Sequence, residues 1–325
     1  MPLLLSRSDM KRLLDMPTVI DTLEQGFRES GKPDDHIPER LALQIAYADA
    51  VSLFMPAFLS KTGVFGAKMV SVFPENTKHG LPVVTGYYLL CDAETGALLA
   101  LMDATHLTAV RTAATSAVAS RHLARPDVST LGIFGAGVQA RFHLEAIKTV
   151  LPLREAIVYN RTHTHALVFA TEMERLHGFP VRVASTPDEA LQADVLITCT
   201  RSATPLFDGR KVRPGTHINA VGVYTPDAQE LDAHLIRRAT VYVDTPEGAL
   251  TEAGDLLVPI RQGLISKDHI RGGLAALLRG EILGRRSNEE ITVFKSVGFA
   301  LEDIVTAQMA YEKALTEKVG LSFDL

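Results

Sequence analysis

The residues that most clearly announce chemistry are Gly135-Ala136-Gly137-Val138-Gln139-Ala140, which read as G-x-G-x-x-A. An apolar run, Leu131 to Phe134, leads into them, and a helix-forming stretch follows at once. Gly135 permits a tight turn, Gly137 lets the backbone approach a pyrophosphate, and Ala140 lets the helix pack closely on the strand. A helix N-terminus adds free N–H donors and partial positive charge for phosphate groups. A second strand, EAIVYN, follows at the expected distance, and its end should meet an adenosine ribose. A site specific for NAD often has a carboxylate there; this sequence has Asn160-Arg161-Thr162. Nothing at that point repels a 2′-phosphate and Arg161 can pair with one, so NADP(H) is preferred. Should Arg161 only stack on the adenine, NAD(H) serves as well.

Two cations stand out next. Lys68, in GAKMV, and Arg111, in LTAVRTAATSA, each lie in an apolar or small-residue run where a bare charge is costly. Other reactive residue types carry less. There is no CxxC, HExxH or EF-hand loop, so no metal site is expected. His163 and His165, in THTHA, read as surface helix residues. Cys91 and Cys199 each fall in an apolar, strand-like stretch and read as buried free thiols of a reducing cytoplasm.

The elements that must position these residues follow from pattern. The chain has 325 residues, enough for two domains, with 46% hydrophobic and 22% charged residues, a globular composition. Thirty-three Lys+Arg against 38 Asp+Glu give a formal charge of −5, without the basic excess of a nucleic-acid binder. No apolar run approaches the roughly 20 residues of a membrane helix, and the apolar start MPLLL is too short for a signal peptide. Residues 1–30 read as helical, with Pro17 in a first turn, Val19, Ile20, Leu23 and Phe27 on one face, and Gly31 as a stop. RLALQIAY alternates as a half-buried strand. VSLFMPAF, GVFGAKMVSVF and VVTGYYLLC are further strands, and DAETG (92–96) is a hairpin turn. Residues 107–124 form a long Ala-rich helix.

From about 128 strand and helix alternate: STLGIF, EAIVYN, VRVA, DVLITC, THINAVG, TVYVD and ITVFKS are strands, and Thr186-Pro187-Asp188-Glu189 opens a helix with a capping box. Such alternation implies right-handed crossovers and an α/β, doubly wound parallel sheet. The expected architecture is a Rossmann domain over 126–296 and an α+β substrate-binding and dimerisation domain over 1–125, to which 297–325 returns.

Taken together, MPAF (55–58), GAKMVSVFPEN (66–76), LTAVRTAATSA (107–117), GAGVQA (135–140), NRT (160–162), INAVG (218–222), ELD (230–232) and TVFKSVGFALED (292–303) resemble the ornithine cyclodeaminase/mu-crystallin family over nearly the whole chain. The resemblance implies a Rossmann domain plus an N-terminal domain that binds substrate and forms a homodimer. It implies that Arg40 holds a substrate carboxylate, that Lys68 stands beside the reacting end, and that Arg111 lies near both carboxylate and cofactor. It places cofactor contacts on Val138, Gln139, Asn160, Arg161, Thr162, Thr200, Val221, Gly222 and Ser296, beside Gly135 and Gly137 of the glycine loop. Lys295-Ser296-Val297-Gly298 would close the nicotinamide side, unless it is a plain strand-to-helix turn. Three cations around one cleft suit an amino- or imino-acid carboxylate, which Arg grips with two parallel bonds.

The family fixes a cofactor class, not a reaction. Its cyclodeaminases carry an aspartate after INAVG; here simple alignment puts Tyr224 there, and Asp227 replaces it only if the turn shifts. They also carry a glutamate just before MP, where this chain has Ser52-Leu53-Phe54. Burying an unpaired ammonium beside Leu53 and Phe54 would cost several kcal/mol. The expectation is NAD(P)H-dependent reduction of a small α-imino acid, cyclic or open-chain (such as iminosuccinate), to an L-amino acid. Lys68 would be the acid, and Tyr224 would assist or shape the pocket. The alternatives are an ornithine- or lysine-type cyclodeaminase, oxidative deamination of the alanine dehydrogenase type, and a binding protein for NADPH and an iodothyronine-like ligand. For that last role Leu53, Phe54, Phe58 and Phe73 would line a pocket, unless they are domain core.

Overall fold

Capping residues decide how the chain begins. In this computed structural model, which describes residues 1–324, the expected helical segment over 1–30 is instead a strand and two helices. They are β1 (Leu3–Leu5), α1 (Arg7–Leu13) and α2 (Met16–Glu29). Ser6 caps α1 in a reciprocal box with Asp9, and Asp15 caps α2 by accepting from Thr18 N at 3.1 Å. Pro17 sits in the first turn of α2, and Val19, Ile20, Leu23 and Phe27 are buried together. The strands that follow are β2 (Leu41–Ile45), β3 (Ala50–Leu59), β4 (Val64–Val72), β5 (Val84–Asp92) and β6 (Leu98–Asp103). Gly96, at φ 73°, makes the turn between β5 and β6. The long Ala-rich helix is α3 (Ala104–Leu123).

The second half alternates as expected. It runs through β7 (Thr130–Phe134), α4 (Val138–Val150), β8 (Glu155–Tyr159), α5 (His163–His177), β9 (Val181–Val183), α6 (Pro187–Ala190) and β10 (Val195–Thr198). It continues with β11 (His217–Ala220), α7 (Ala233–Arg238), β12 (Ala239–Val243), α8 (Pro246–Glu252) and α9 (Gly254–Arg261). It ends with β13 (Ile270–Gly273), α10 (Leu274–Leu278) and β14 (Ile291–Lys295). All eight strands are parallel, in the order β13-β12-β14-β11-β10-β7-β8-β9. The sheet winds outward in both directions from β7 and β10, and that reversal is where doubly wound folds bind ligands. Strand β13, Ile-Arg-Gly-Gly, has too little apolar alternation to be foreseen. Helix α6 lacks the expected box: the Thr186 hydroxyl meets the Glu189 carboxylate at 3.1 Å, and that carboxylate accepts from Ser185 N.

The chain then forms α11 (Ala300–Glu317) and β15 (Leu321–Ser322). The first sheet, in the order β15-β1-β6-β5-β4-β3-β2, is antiparallel except where β1 runs beside β6. Two units result: Met1–Thr112 with the segment from Phe299 onward, and Ala113–Gly298. The division falls inside the continuous helix α3, where a change of sequence texture placed it at 125/126, and residue 325 of the expected return lies outside the described residues. Strand β2 departs from expectation. It is an edge strand whose alternating Leu41 and Leu43 are exposed, and Tyr47 lies in a 3-10 turn beyond it. No helix of the described residues is long and apolar enough to cross a membrane.

Candidate active site

Strand periodicity places Lys68. Along β4 the residues Val64, Gly66, Lys68 and Val70 point into the first unit while Phe65 and Met69 point out. Lys68 is thus carried inward between Met55 of β3 and Tyr88 of β5, its partners in register, and is fully buried. Its Nζ donates to Asp303 Oδ1 at 2.8 Å. The same oxygen accepts from Arg111 Nε at 3.0 Å, and the Arg111 guanidinium also pairs with Glu302. Arg111 comes from α3, and Glu302 and Asp303 from the first turn of α11; all are buried. Two cations and two carboxylates therefore meet in the interior of the first unit. Burial and the charge of Arg111 pull the Lys68 ammonium down to about 8, with Asp303 opposing them. Burial, together with the charge of Asp303, pushes the Tyr88 phenol well up, so Tyr88 stays neutral. Arg40 is not in this buried set. It is half-buried just before β2, on the far side of β3 from β4.

In the second unit the glycine loop adopts the conformation its sequence demands. Gly135 has φ 114°, which only glycine tolerates, and a Cβ there would stand 3.0 Å from the Cys199 carbonyl oxygen. Gly137 caps α4 with no side-chain hydrogen bond, and a Cβ on it would meet nothing within 4 Å. Ala140 is buried against the sheet. Val138 is exposed at the head of α4, and Gln139 Oε1 is buried without a hydrogen-bond partner among the described residues. An uncapped helix end, open space over Gly137 and an unanswered amide oxygen all fit a dinucleotide pyrophosphate. Arg141, which the motif did not single out, holds the loop by donating to the carbonyls of Ala136 at 2.7 Å and Gly137 at 3.0 Å, while also pairing with Glu172. At the end of β8, Asn160 Nδ2 donates to Thr162 O at 2.9 Å, and Arg161 is exposed.

Beyond β10 and β11, a single carboxylate ties the remaining cofactor candidates together. Glu230 Oε1 accepts from Thr200 N and Oγ1, both at 2.7 Å, and Oε2 accepts from Thr198 Oγ1 and Gly222 N, both at 2.9 Å. A Cβ on Gly222 would stand 2.3 Å from Thr200 O, so only glycine fits that contact. Val221 N donates to Thr198 O at 2.9 Å. Burial raises the Glu230 carboxyl, partly offset by Lys295. Lys295 is itself buried against Asp255 at 2.9 Å and donates to Val223 O, so in KSVG the lysine braces the fold. Ser296 Oγ, Val297 N and Gly298 N all donate to Asp244 Oδ2, within 3.0 Å. Tyr224 is partly buried against the core of this unit. Asp227 is exposed and paired with Arg261, so it does not replace an aspartate missing from the turn.

Five buried carboxylates (Glu230, Asp244, Asp255, Glu302 and Asp303) thus escaped sequence reading, although ELD and ALED were in view. Their signal was slight: an acid flanked by apolar neighbours, as in Leu301-Glu302-Asp303-Ile304. Two other expectations change. Cys91 and Cys199 are free but half-buried, because each stands where a strand ends. Of the four apolar residues offered as core or pocket, Leu53 is buried, Phe58 and Phe73 are half-buried, and Phe54 points outward. His163 and His165 are exposed in the first turn of α5.

Comparison with known proteins agrees with this fold. The chain is 40% identical over 320 residues to a Delta(1)-pyrroline-2-carboxylate reductase of Bacillus cereus, covering 98% of each. Among solved structures it is similar to the Delta(1)-pyrroline-2-carboxylate reductase of Thermococcus litoralis in complex with NADH and L-proline, with TM-score 0.96 and 43% identity over 99% of this chain and 100% of that one. It is also similar to an archaeal alanine dehydrogenase dimer with bound NAD, with TM-score 0.94 and 34% identity over 99% of each chain. Residues 1–318 match the ornithine cyclodeaminase/mu-crystallin family, and the chain belongs to it.

Proposed function

We propose that the protein is an NAD(P)H-dependent oxidoreductase that reduces a small cyclic α-imino acid, Δ1-pyrroline-2-carboxylate or a near relative, to the L-amino acid. The observation that carries this reading is the buried cluster in which Lys68 and Arg111 share Asp303 Oδ1, with Leu53 and Tyr224 where the family's cyclodeaminases carry acids. Arg111, with Arg40 from the segment before β2, holds the substrate carboxylate. Lys68 gives its proton to the imine nitrogen as the carbon is reduced, and an ammonium poised near 8 can do this at neutral pH. Tyr224 shapes the pocket. A bound reduced nicotinamide supplies the hydride. Gly135, Gly137, Val138 and Gln139 hold the pyrophosphate, Asn160, Arg161 and Thr162 the adenosine ribose, and Thr200, Val221, Gly222 and Ser296 the nicotinamide side.

Both dinucleotides fit this site. Arg161 favours the 2′-phosphate of NADP(H), and the similar solved structures hold NADH and NAD. The neutral Leu53 and Tyr224 positions argue against cyclodeamination, and two free thiols suit the cytoplasm. The outward face of the first sheet serves a homodimer. The deciding assay follows loss of NADPH or NADH absorbance with Δ1-pyrroline-2-carboxylate, with its six-membered homologue, and with 2-oxo acids plus ammonia. Turnover of the cyclic imine is expected. Release of ammonia from ornithine with NAD+, and no imine reduction, would replace this reading with cyclodeamination.

A further inference from the structure

One carboxylate oxygen serves both cations of the candidate site. Asp303 Oδ1 accepts from Lys68 Nζ at 2.8 Å and from Arg111 Nε at 3.0 Å. The three residues come from a strand, a helix and the C-terminal helix, and Asp303 lies 235 positions from Lys68 in sequence. Without a shared anion two buried cations would repel each other across a short gap. Asp303 is fully buried, and its second oxygen, Oδ2, has no hydrogen-bond partner among the described residues.

We propose that Asp303 is the positioning residue of the reaction: through Oδ1 it sets the spacing of the proton donor Lys68 and the carboxylate-holding Arg111, and its charge keeps Lys68 protonated while the substrate is bound. This rests on the reading of Lys68 as the acid. The groups facing Lys68 are Arg111 from α3, Glu302 and Asp303 from α11, and Tyr88 from β5, while β3 presents the apolar Met55. Burial and Arg111 lower the affinity of Lys68 for its proton; Asp303, ahead of Glu302, restores it. Removing the charge of Asp303 while keeping its shape therefore moves the titration of Lys68 downward.

The test compares the pH dependence of kcat/KM, from pH 6 to 10, in the full-length wild type, D303N, D303E and K68Q, with Δ1-pyrroline-2-carboxylate and NADPH. NADPH affinity is read by nucleotide fluorescence. D303N is expected to lose about 100-fold in kcat/KM at pH 8 and to move the alkaline limb down by about one unit, with NADPH affinity within about 2-fold of wild type. D303E keeps the charge but displaces the oxygen, so its limb stays near the wild-type position while kcat falls about 10-fold. An unmoved limb in D303N, or a loss of NADPH affinity that tracks the loss of kcat, overturns the proposal. Should D303N not fold, D303E decides: lowered kcat with an unmoved limb supports the role, and wild-type kcat overturns it. K68Q separates this inference from the reading beneath it. Turnover by K68Q removes Lys68 as the acid and Asp303 with it; an inactive K68Q beside a D303N of wild-type profile removes Asp303 alone.

Discussion

Lys68 concentrates the chemistry at the scale of single residues. Alternation along β4 points it inward, and burial beside Arg111 brings its ammonium down to about 8. A donor must be protonated to act, so activity is present below that value and lost as pH rises through it. The kcat/KM profile, which reports the free enzyme, should therefore fall above about pH 8 with unit slope. A flat profile to pH 10 would contradict the assignment. Arg161 makes the second residue-scale prediction. It is exposed at the end of β8, where a 2′-phosphate would lie. R161A should raise KM for NADPH about 10-fold, one charge-assisted bidentate contact, and leave KM for NADH nearly unchanged. Equal changes for both cofactors would mean that Arg161 only stacks on the base. Lys68 and Arg111 were legible because a charge inside an apolar run must be answered by something. What answers them was not, since Glu302 and Asp303 look like any acids in a helix until the fold carries them across the molecule.

Among the elements, the parallel sheet was the most legible part, because its buried strands are mostly apolar and the turns between them are punctuated by Gly, Pro and Asn. Edge elements were not. Strand β2 shows the alternation of a half-buried strand, yet its leucines face out, and β13 is nearly featureless. Local pattern says which residues share a face but not which face is covered. The glycine loop supplies a test at this scale, since its two glycines serve different ends. Gly135 needs a positive φ, so G135A should destabilise the fold by about 1–3 kcal/mol in urea unfolding. Gly137 has φ −87° and open space around it, so G137A should change stability by less than about 0.5 kcal/mol. G137A should nevertheless weaken NADPH binding about 10-fold or more, because the added methyl occupies the space the phosphates need. Stability and affinity falling together in both variants would show that the two glycines act alike.

The whole molecule poses a different question, since the first sheet covers only one of its faces. Its inner face packs against α11, on which α2 lies, and carries Lys68. Its outer face carries Leu41, Phe54, Met69 and Tyr87, one register row across four strands, exposed by 62%, 36%, 37% and 53%. Leu89 and Phe65 continue the apolar surface. A patch this continuous is uncommon on a monomer and marks an interaction surface. A second copy is the simplest occupant, since a two-fold axis lets one patch meet itself. These four residues carry no charge, and the row meets a charged residue, Asp103 of β6 paired with Arg7, only at its end; the centre of a permanent interface tends to be apolar in this way. Light scattering during gel filtration should therefore give twice the 35.3 kDa chain mass at micromolar concentration. Met69→Lys with Tyr87→Glu should shift the protein to monomer, weakening association at least about 100-fold, because charges at the centre of the patch would be desolvated without fixed partners. Both positions face solvent within one chain, so far-UV circular dichroism should stay unchanged. A monomeric wild type, or a double variant that stays dimeric, would show that a different surface governs assembly.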